Sequence, residues 1–159
     1  MEQKTLSRWL KAILAGAGLC GLLAFAVVVP LFGLSLREQY PEFSNRFYPW
    51  LAFLWAAAIP CFAALAAAWK ITENIGKDRS FSEENAALFR RISILSAADA
   101  GFFFAGNLAL LLLDMSHPSV VLFSLVVVFG GIAVAVAAAV LSHLSKKAAL
   151  LQEQSDFTI

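Results

Sequence analysis

The sequence predicts an all-α polytopic membrane protein, an antiparallel four-helix transmembrane bundle with short cytoplasmic helical extensions. Three observations carry that reading. Of 159 residues, 60% are hydrophobic and 14% charged, against about 45–50% and about 25% in ordinary soluble domains. Four stretches are almost free of charge, and each reaches the ~20 residues that a helix needs to cross ~30 Å of hydrocarbon. Lys and Arg are also divided very unequally between the connections. This composition excludes disorder, a coiled coil and a disulfide scaffold. A net charge of +1 gives no sign of direct nucleic-acid binding.

The first span, 12–36, is 25 residues without a charge. Lys4, Arg8 and Lys11 before it and Ala24-Phe25-Ala26 within it imitate a secretory signal and its cleavage site. The apolar run continues through Val27-Val28-Val29 to Leu36, longer than such a signal needs, so the segment is expected to stay as a helix. The second span, 47–69, holds Pro60, which is expected to kink it. Its helical pattern continues through Ile71 and Ile75 to Gly76, read as a C-cap. Ser82 then serves as an N-cap, with Glu83 and Glu84 in the first turn. Ser80 with Glu83 is a rival capping box.

The third span, 92–113, is interrupted only by Asp99. A connection of about six residues, 114–119, makes an antiparallel hairpin with the fourth span, 120–141. Beyond Leu141 the pattern runs on through Leu144, Ala148 and Leu151 as a short stalk. None of the spans alternates like a barrel strand. Small residues let helix backbones approach in lipid, and each span has a stripe of them at four-residue spacing. The stripes are Ala12-Gly16-Cys20-Ala24, Ala52-Ala56-Pro60-Ala64-Ala68, Ala97-Gly101-Ala105-Ala109 and Gly131-Ala135-Ala139. The whole chain, 1–159, is expected to form one four-span domain, with a cytoplasmic loop at 70–91 and a cytoplasmic tail at 142–159.

Orientation follows from the basic residues. Lys4, Arg8, Lys11, Lys70, Lys77, Arg79, Arg90, Arg91, Lys146 and Lys147 fall on one side of a four-span chain; Arg37 and Arg46 fall on the other. The positive-inside rule then places both termini and the middle loop in the cytoplasm of a bacterial inner membrane. Tyr40, Phe47, Tyr48 and Trp50 form an aromatic belt outside, Trp9 and Trp69 one inside.

The candidate chemistry is sparse. Cys20 and Cys61 form no Cys-x-x-Cys pair and read as small packing residues at similar depth. His117 and His143 lie at opposite membrane faces and can neither ligate a haem between facing helices nor build a metal cluster. No phosphate loop, nucleophile elbow or metalloprotease pair is present. No catalytic residue, metal or cofactor is therefore expected, and the chain reads as a non-enzyme. Asp99 is the exception among the spans, because an intramembrane acid costs ~2.5–3.5 kcal/mol at the bilayer centre. Ser96 lies one turn before it and Asn107 two turns after. One reading is a small ion-coupled transporter using Asp99; the other is an acid facing the bundle, hydrogen-bonded to Ser96 or protonated, that fixes helix register.

Two segments resemble a known family. Ile75-Gly76-Lys77-Asp78-Arg79-Ser80-Phe81-Ser82-Glu83-Glu84-Asn85, leading into Leu88 and Ile92, is similar to the middle loop of the bacterial four-span membrane family catalogued as domain of unknown function 2975. The ending Gln152-Glu153-Gln154-Ser155-Asp156-Phe157-Thr158-Ile159 resembles that family's Asp-Leu-Thr-Ile terminus, with Phe157 in place of the leucine. The resemblance implies no assigned activity. Because members are often encoded beside a small helix-turn-helix regulator, it implies a membrane partner of such a cytoplasmic DNA-binding protein. The residues expected to meet that partner are Phe81, Ser82, Glu84, Asn85, Asp156, Phe157, Thr158 and Ile159. The bilayer is the other partner, and a homo-oligomer stays open. Within the loop, Phe81 is expected to pack near Ala86 as a hydrophobic staple, buried against the cytoplasmic helix ends. Asn85 is expected to reach the preceding loop or the tail.

Overall fold

The computed structural model describes residues 3–39 and 41–156, apart from the side chains of 42, 43 and 156. Helix α1 (Gln3–Leu23) passes through a π-helical turn (Ala24–Val28) into α2 (Val29–Gln39). A 3-10 segment (Pro41–Arg46) leads to α3 (Phe47–Gly76), followed by α4 (Glu83–Leu112) and α5 (Pro118–Asp156). No strand occurs among the described residues. With α1 and α2 taken as one rod, there are four helical rods long and apolar enough to cross a membrane. Their outer faces are apolar and open, with Phe123 78% exposed. Faces of that kind would be untenable in water and are ordinary against lipid. At 1.5 Å per residue, the 39 residues of α5 span roughly 58 Å, well beyond a bilayer's apolar core.

The π turn has an identifiable cause. Pro30 has no N–H and crowds the carbonyl one turn back. The chain responds by sending the Val29 N–H to the Ala24 carbonyl, five residues back. The Phe25 carbonyl then lacks its usual donor: Val29 is engaged elsewhere and the next residue is Pro30. The indole of Trp55 on α3 supplies the missing bond, donating to that carbonyl at 3.0 Å. Pro60, the expected kink site, leaves α3 α-helical throughout.

Antiparallel neighbours pack in chain order: the first rod on α3, α3 on α4 and α4 on α5. Among the described residues, α1 makes no close backbone approach to α4 or α5, nor α3 to α5. The rods thus stand in an open row. The core lies towards the end where α1 begins, where Ala67 and Ile71 of α3, Ile92 of α4 and Ala138 of α5 cluster.

The packing faces correct the expected stripes. On α1 the half-buried residues are Leu10, Lys11, Leu14, Gly18 and Gly21, with Ser7 buried, while Ala12, Gly16 and Cys20 are exposed. On α4 the stripe Ala97-Gly101-Ala105-Ala109 is likewise exposed. The α5 seam runs Ser124, Val128, Gly131, Ala135, Ala138, Ser142, Ser145, in alternating steps of four and three. A row of pure four-residue steps drifts around the helix, whereas a four-three alternation follows a neighbour crossing at a shallow angle. Gly131 and Ala135 belong to both rows. A Cβ at Gly131 would stand 3.1 Å from the Ala100 Cβ, so the hairpin closes tightest there.

Both connections between long helices end in the same device. After α3, the Arg79 N–H donates to the Asn74 carbonyl and the Asp78 N–H to the Ile75 carbonyl. After α4, Met115 and Asp114 donate in the same way to Leu110 and Leu111. These are Schellman turns, with Asp78 (φ 61°) and Asp114 (φ 53°) in the left-handed conformation. Gly76 is not the left-handed cap. Its lack of a side chain matters for another reason: a Cβ there would lie 2.8 Å from the Ser7 hydroxyl oxygen.

Candidate functional site

Ten of the twelve Lys and Arg, the start of α1, the end of α5 and the connection 77–82 fall towards one end of the row. At its centre is Asn85, which has no exposed surface. Its amide nitrogen donates to the carbonyls of Arg79 (3.1 Å) and Ser80 (3.0 Å). Its side-chain oxygen accepts from the Asn74 amide at 2.8 Å. Its backbone N–H donates to the Ser82 hydroxyl at 3.2 Å, so Ser82 is the N-cap of α4. Asn74 in turn accepts from the Lys77 and Arg79 N–H groups on its own carbonyl. The connection is therefore wound around two buried amides.

The neighbouring helices are fastened to this knot. The Ser7 hydroxyl of α1 donates to the Thr72 carbonyl at 2.6 Å. The Ser80 hydroxyl donates to Gln3 Oε1 at 3.0 Å, which removes it from the rival capping box. Lys11 lies 3.6 Å from Glu73 and 5.5 Å from the centre of the Trp69 ring. The Ser142 hydroxyl of α5 donates to the Ala86 carbonyl at 2.7 Å. Lys70 meets Glu84 at 3.1 Å, and its hydrogen bond, with a lesser one from Asn74, holds the Glu84 carboxyl below its ordinary range.

Phe81 corrects an expectation. Its side chain is 59% exposed rather than buried against the helix ends. Ala86, its expected staple partner, is buried where α5 lies against α4. The polar knot already fixes the connection, so no apolar anchor is needed. Phe157, Thr158, Ile159 and the Asp156 side chain lie outside the described residues, as does Tyr40.

Inside the spans, Asp99 Oδ2 accepts a hydrogen bond from the Cys61 thiol at 3.3 Å. Its Oδ1 is buried with no partner. The expected bond from Ser96 to Asp99 is absent. Ser96 lies instead along the α5 seam, with its carbonyl near Gly131. Asn107 donates to the Phe103 carbonyl of its own helix at 2.8 Å. Ser96, Asp99 and Asn107 thus do not converge on one site. Sequence reasoning missed Cys61 as the partner, although a signal existed. Cys61 lies 15 residues before the end of α3 and Asp99 16 residues after the start of α4, so an antiparallel pair sets them level. Both cysteines are free thiols. No group of three or more His, Cys, Asp or Glu among the described residues could hold a metal ion.

A row of four apolar antiparallel rods with a polar knot at one end defines an integral membrane protein. Residues 31–159 match the model of the family described as "Protein of unknown function (DUF2975)", and the chain belongs to that family. It is 28% identical over 149 residues, 92% of each chain, to the "Uncharacterized membrane protein YoaS" of Bacillus subtilis (strain 168). No solved structure matches it.

Proposed function

We propose that this is a non-enzymatic protein of the bacterial inner membrane whose basic end faces the cytoplasm and binds a partner protein there. One observation carries the reading: a large aromatic, Phe81, stands out from a connection whose backbone is held by buried hydrogen bonds. Exposed aromatics on preorganised backbone make good interface anchors, because little further ordering is needed on binding. Phe81 and Glu84 would touch the partner, Ser82 and Asn85 would hold the connection in shape, and the terminal residues 156–159 would add to the contact. The family resemblance makes a small helix-turn-helix regulator the partner of choice, and gene neighbourhood is the cheapest check. Co-purification after gentle detergent extraction is the direct test. The expected result is a co-purifying regulator that is lost from Phe81→Ala; recovery of no partner, where a control membrane complex survives, overturns the proposal. Reporter fusions at residue 159 and within 37–46 test the orientation, and an outward C-terminus would sink it.

A second reading rests on the unpartnered Oδ1 of Asp99: a small ion-coupled transporter. It expects Asp99→Asn to abolish ion-dependent uptake or efflux at unchanged expression. An unchanged phenotype would leave Asp99 with a purely structural role.

A further inference from the structure

The α4–α5 hairpin carries a groove on one side. Within the spans it encloses about 500 Å³ and is lined almost entirely by carbon, from Ala97, Gly101 and Phe104 on α4 to Ile132, Ala135 and Ala139 on α5. At the basic end a second hollow of about 610 Å³ is lined by Arg90, Arg91 and Ile94 on α4 and by Ser142 and Lys146 on α5. The two lie one above the other between the same two helices, with no lining residue in common. On α4 the row Ala87, Arg90, Ile94, Ala97, Gly101, Phe104 steps alternately by three and four residues, so it keeps one face along the helix. On α5 the row Ile132, Ala135, Ala139, Ser142, Lys146 does the same. Two of the exposed small residues of α4, Ala97 and Gly101, thus floor the groove.

We propose that this groove holds an anionic phospholipid of the inner leaflet, with its phosphate among Arg90, Arg91 and Lys146 and an acyl chain along Ala97 and Gly101. Charge complementarity selects the occupant. Three cations line the mouth against one carboxylate, Glu83. Among the described residues none of the three cations is in an ion pair; the two salt bridges at this end involve Lys11 and Lys70. Basic hollows between spans at the cytoplasmic boundary suit anionic headgroups. A soluble anion would use only the mouth, and an apolar peptide only the floor. A phospholipid matches the whole groove, and the bilayer supplies it where the groove opens. The orientation is that of the proposed function, but the chemistry does not depend on a protein partner.

The test uses the full-length protein purified in a mild neutral detergent. Retained lipid is read by native mass spectrometry after addition of phosphatidylglycerol or phosphatidylcholine, with inorganic phosphate as a third arm. Phosphatidylglycerol should be retained in clear preference, with binding roughly fivefold weaker for each of Arg90, Arg91 and Lys146 changed to Gln. The control triple Lys4→Gln, Arg8→Gln, Lys77→Gln removes the same charge elsewhere at this end and should keep the preference. Gly101→Leu fills the floor, where a Cβ meets nothing within 4 Å. It should lower retention of phosphatidylglycerol while leaving the unfolding temperature of lipid-free protein unchanged. Equal losses in both triples, or no preference in the wild type, overturn the site. Phosphate competing as well as phosphatidylglycerol, with Gly101→Leu silent, overturns the lipid in favour of a small anion.

Discussion

Asn85 satisfies two loop carbonyls and one amide from a position with no access to solvent. Replacing it by Ala leaves those groups without partners, and a buried orphan costs about 1–3 kcal/mol. Asn85→Ala should therefore destabilise by about 2–4 kcal/mol, while Phe81→Ala should stay within about 0.5 kcal/mol, as an exposed side chain does. Thermal unfolding in detergent reads both; an equal or larger loss for Phe81→Ala would show that the ring is packed. A second residue-level expectation concerns Asp78, whose φ of 61° suits glycine best. Asp78→Gly should be neutral or stabilising by up to about 1 kcal/mol, and Asp78→Val should cost about 1–2 kcal/mol. The Ser82 cap was legible because a cap is a local pattern. The role of Asn85 was half legible, since its reach to the preceding loop follows from its place one turn into the helix. The exposure of Phe81 was not legible. Its expected partner, Ala86, is engaged by Ser142 of α5, 56 residues away in the chain.

Among the helices, what decides contact is which face a small residue occupies. Gly106 lies under the ring of Phe53, which stacks on Phe103 with centroids 5.6 Å apart. A Cβ at Gly106 would overlap that ring. Gly16 has open space beside it. Gly106→Ala should thus destabilise by about 1–3 kcal/mol, as overpacking does, and Gly16→Ala should be neutral or stabilising by up to about 1 kcal/mol. A reversed order in a detergent unfolding series would mean that the first rod faces α3 differently. The four spans were legible from the lengths of their charge-free runs, since hydrocarbon thickness sets that length. The packing faces were not, because four-residue stripes occur on exposed and buried sides alike. The π turn was not read either, although Pro30 stands in plain view in the first span. Lys70 and Glu84 add a pH-dependent tie between α3 and α4. The Glu84 carboxyl sits below its ordinary 4.5, so the tie is fully present above that pH and is lost as pH falls through the lower folded value. Both side chains are well exposed, so the effect should be small and weakened by salt. Between about pH 6 and pH 3, wild type should lose slightly more thermal stability than Glu84→Gln at low salt; an identical loss would show that the pair contributes nothing.

At the scale of the whole molecule, α1, α3, α4 and α5 are tied together around the connection 77–82 by Ser7, Ser80, Asn85 and Ser142. The opposite end has only the 3-10 segment and the hairpin after Asp114. Most of the polar bonding between rods thus lies where the informative residues of the sequence are; within the spans, the Trp55–Phe25 and Cys61–Asp99 bonds add to close backbone approach. The open row has a kinetic meaning. Among the described residues, each rod makes close backbone approach only to the one made before it and the one made after it. A ribosome feeding the chain into the bilayer would therefore deliver every helix next to a partner already in place. No segment would have to wait for a distant one, and little loop-closure entropy would oppose any step. Assembly could keep pace with synthesis, and disassembly under a pulling force would run the same course backwards, one rod at a time.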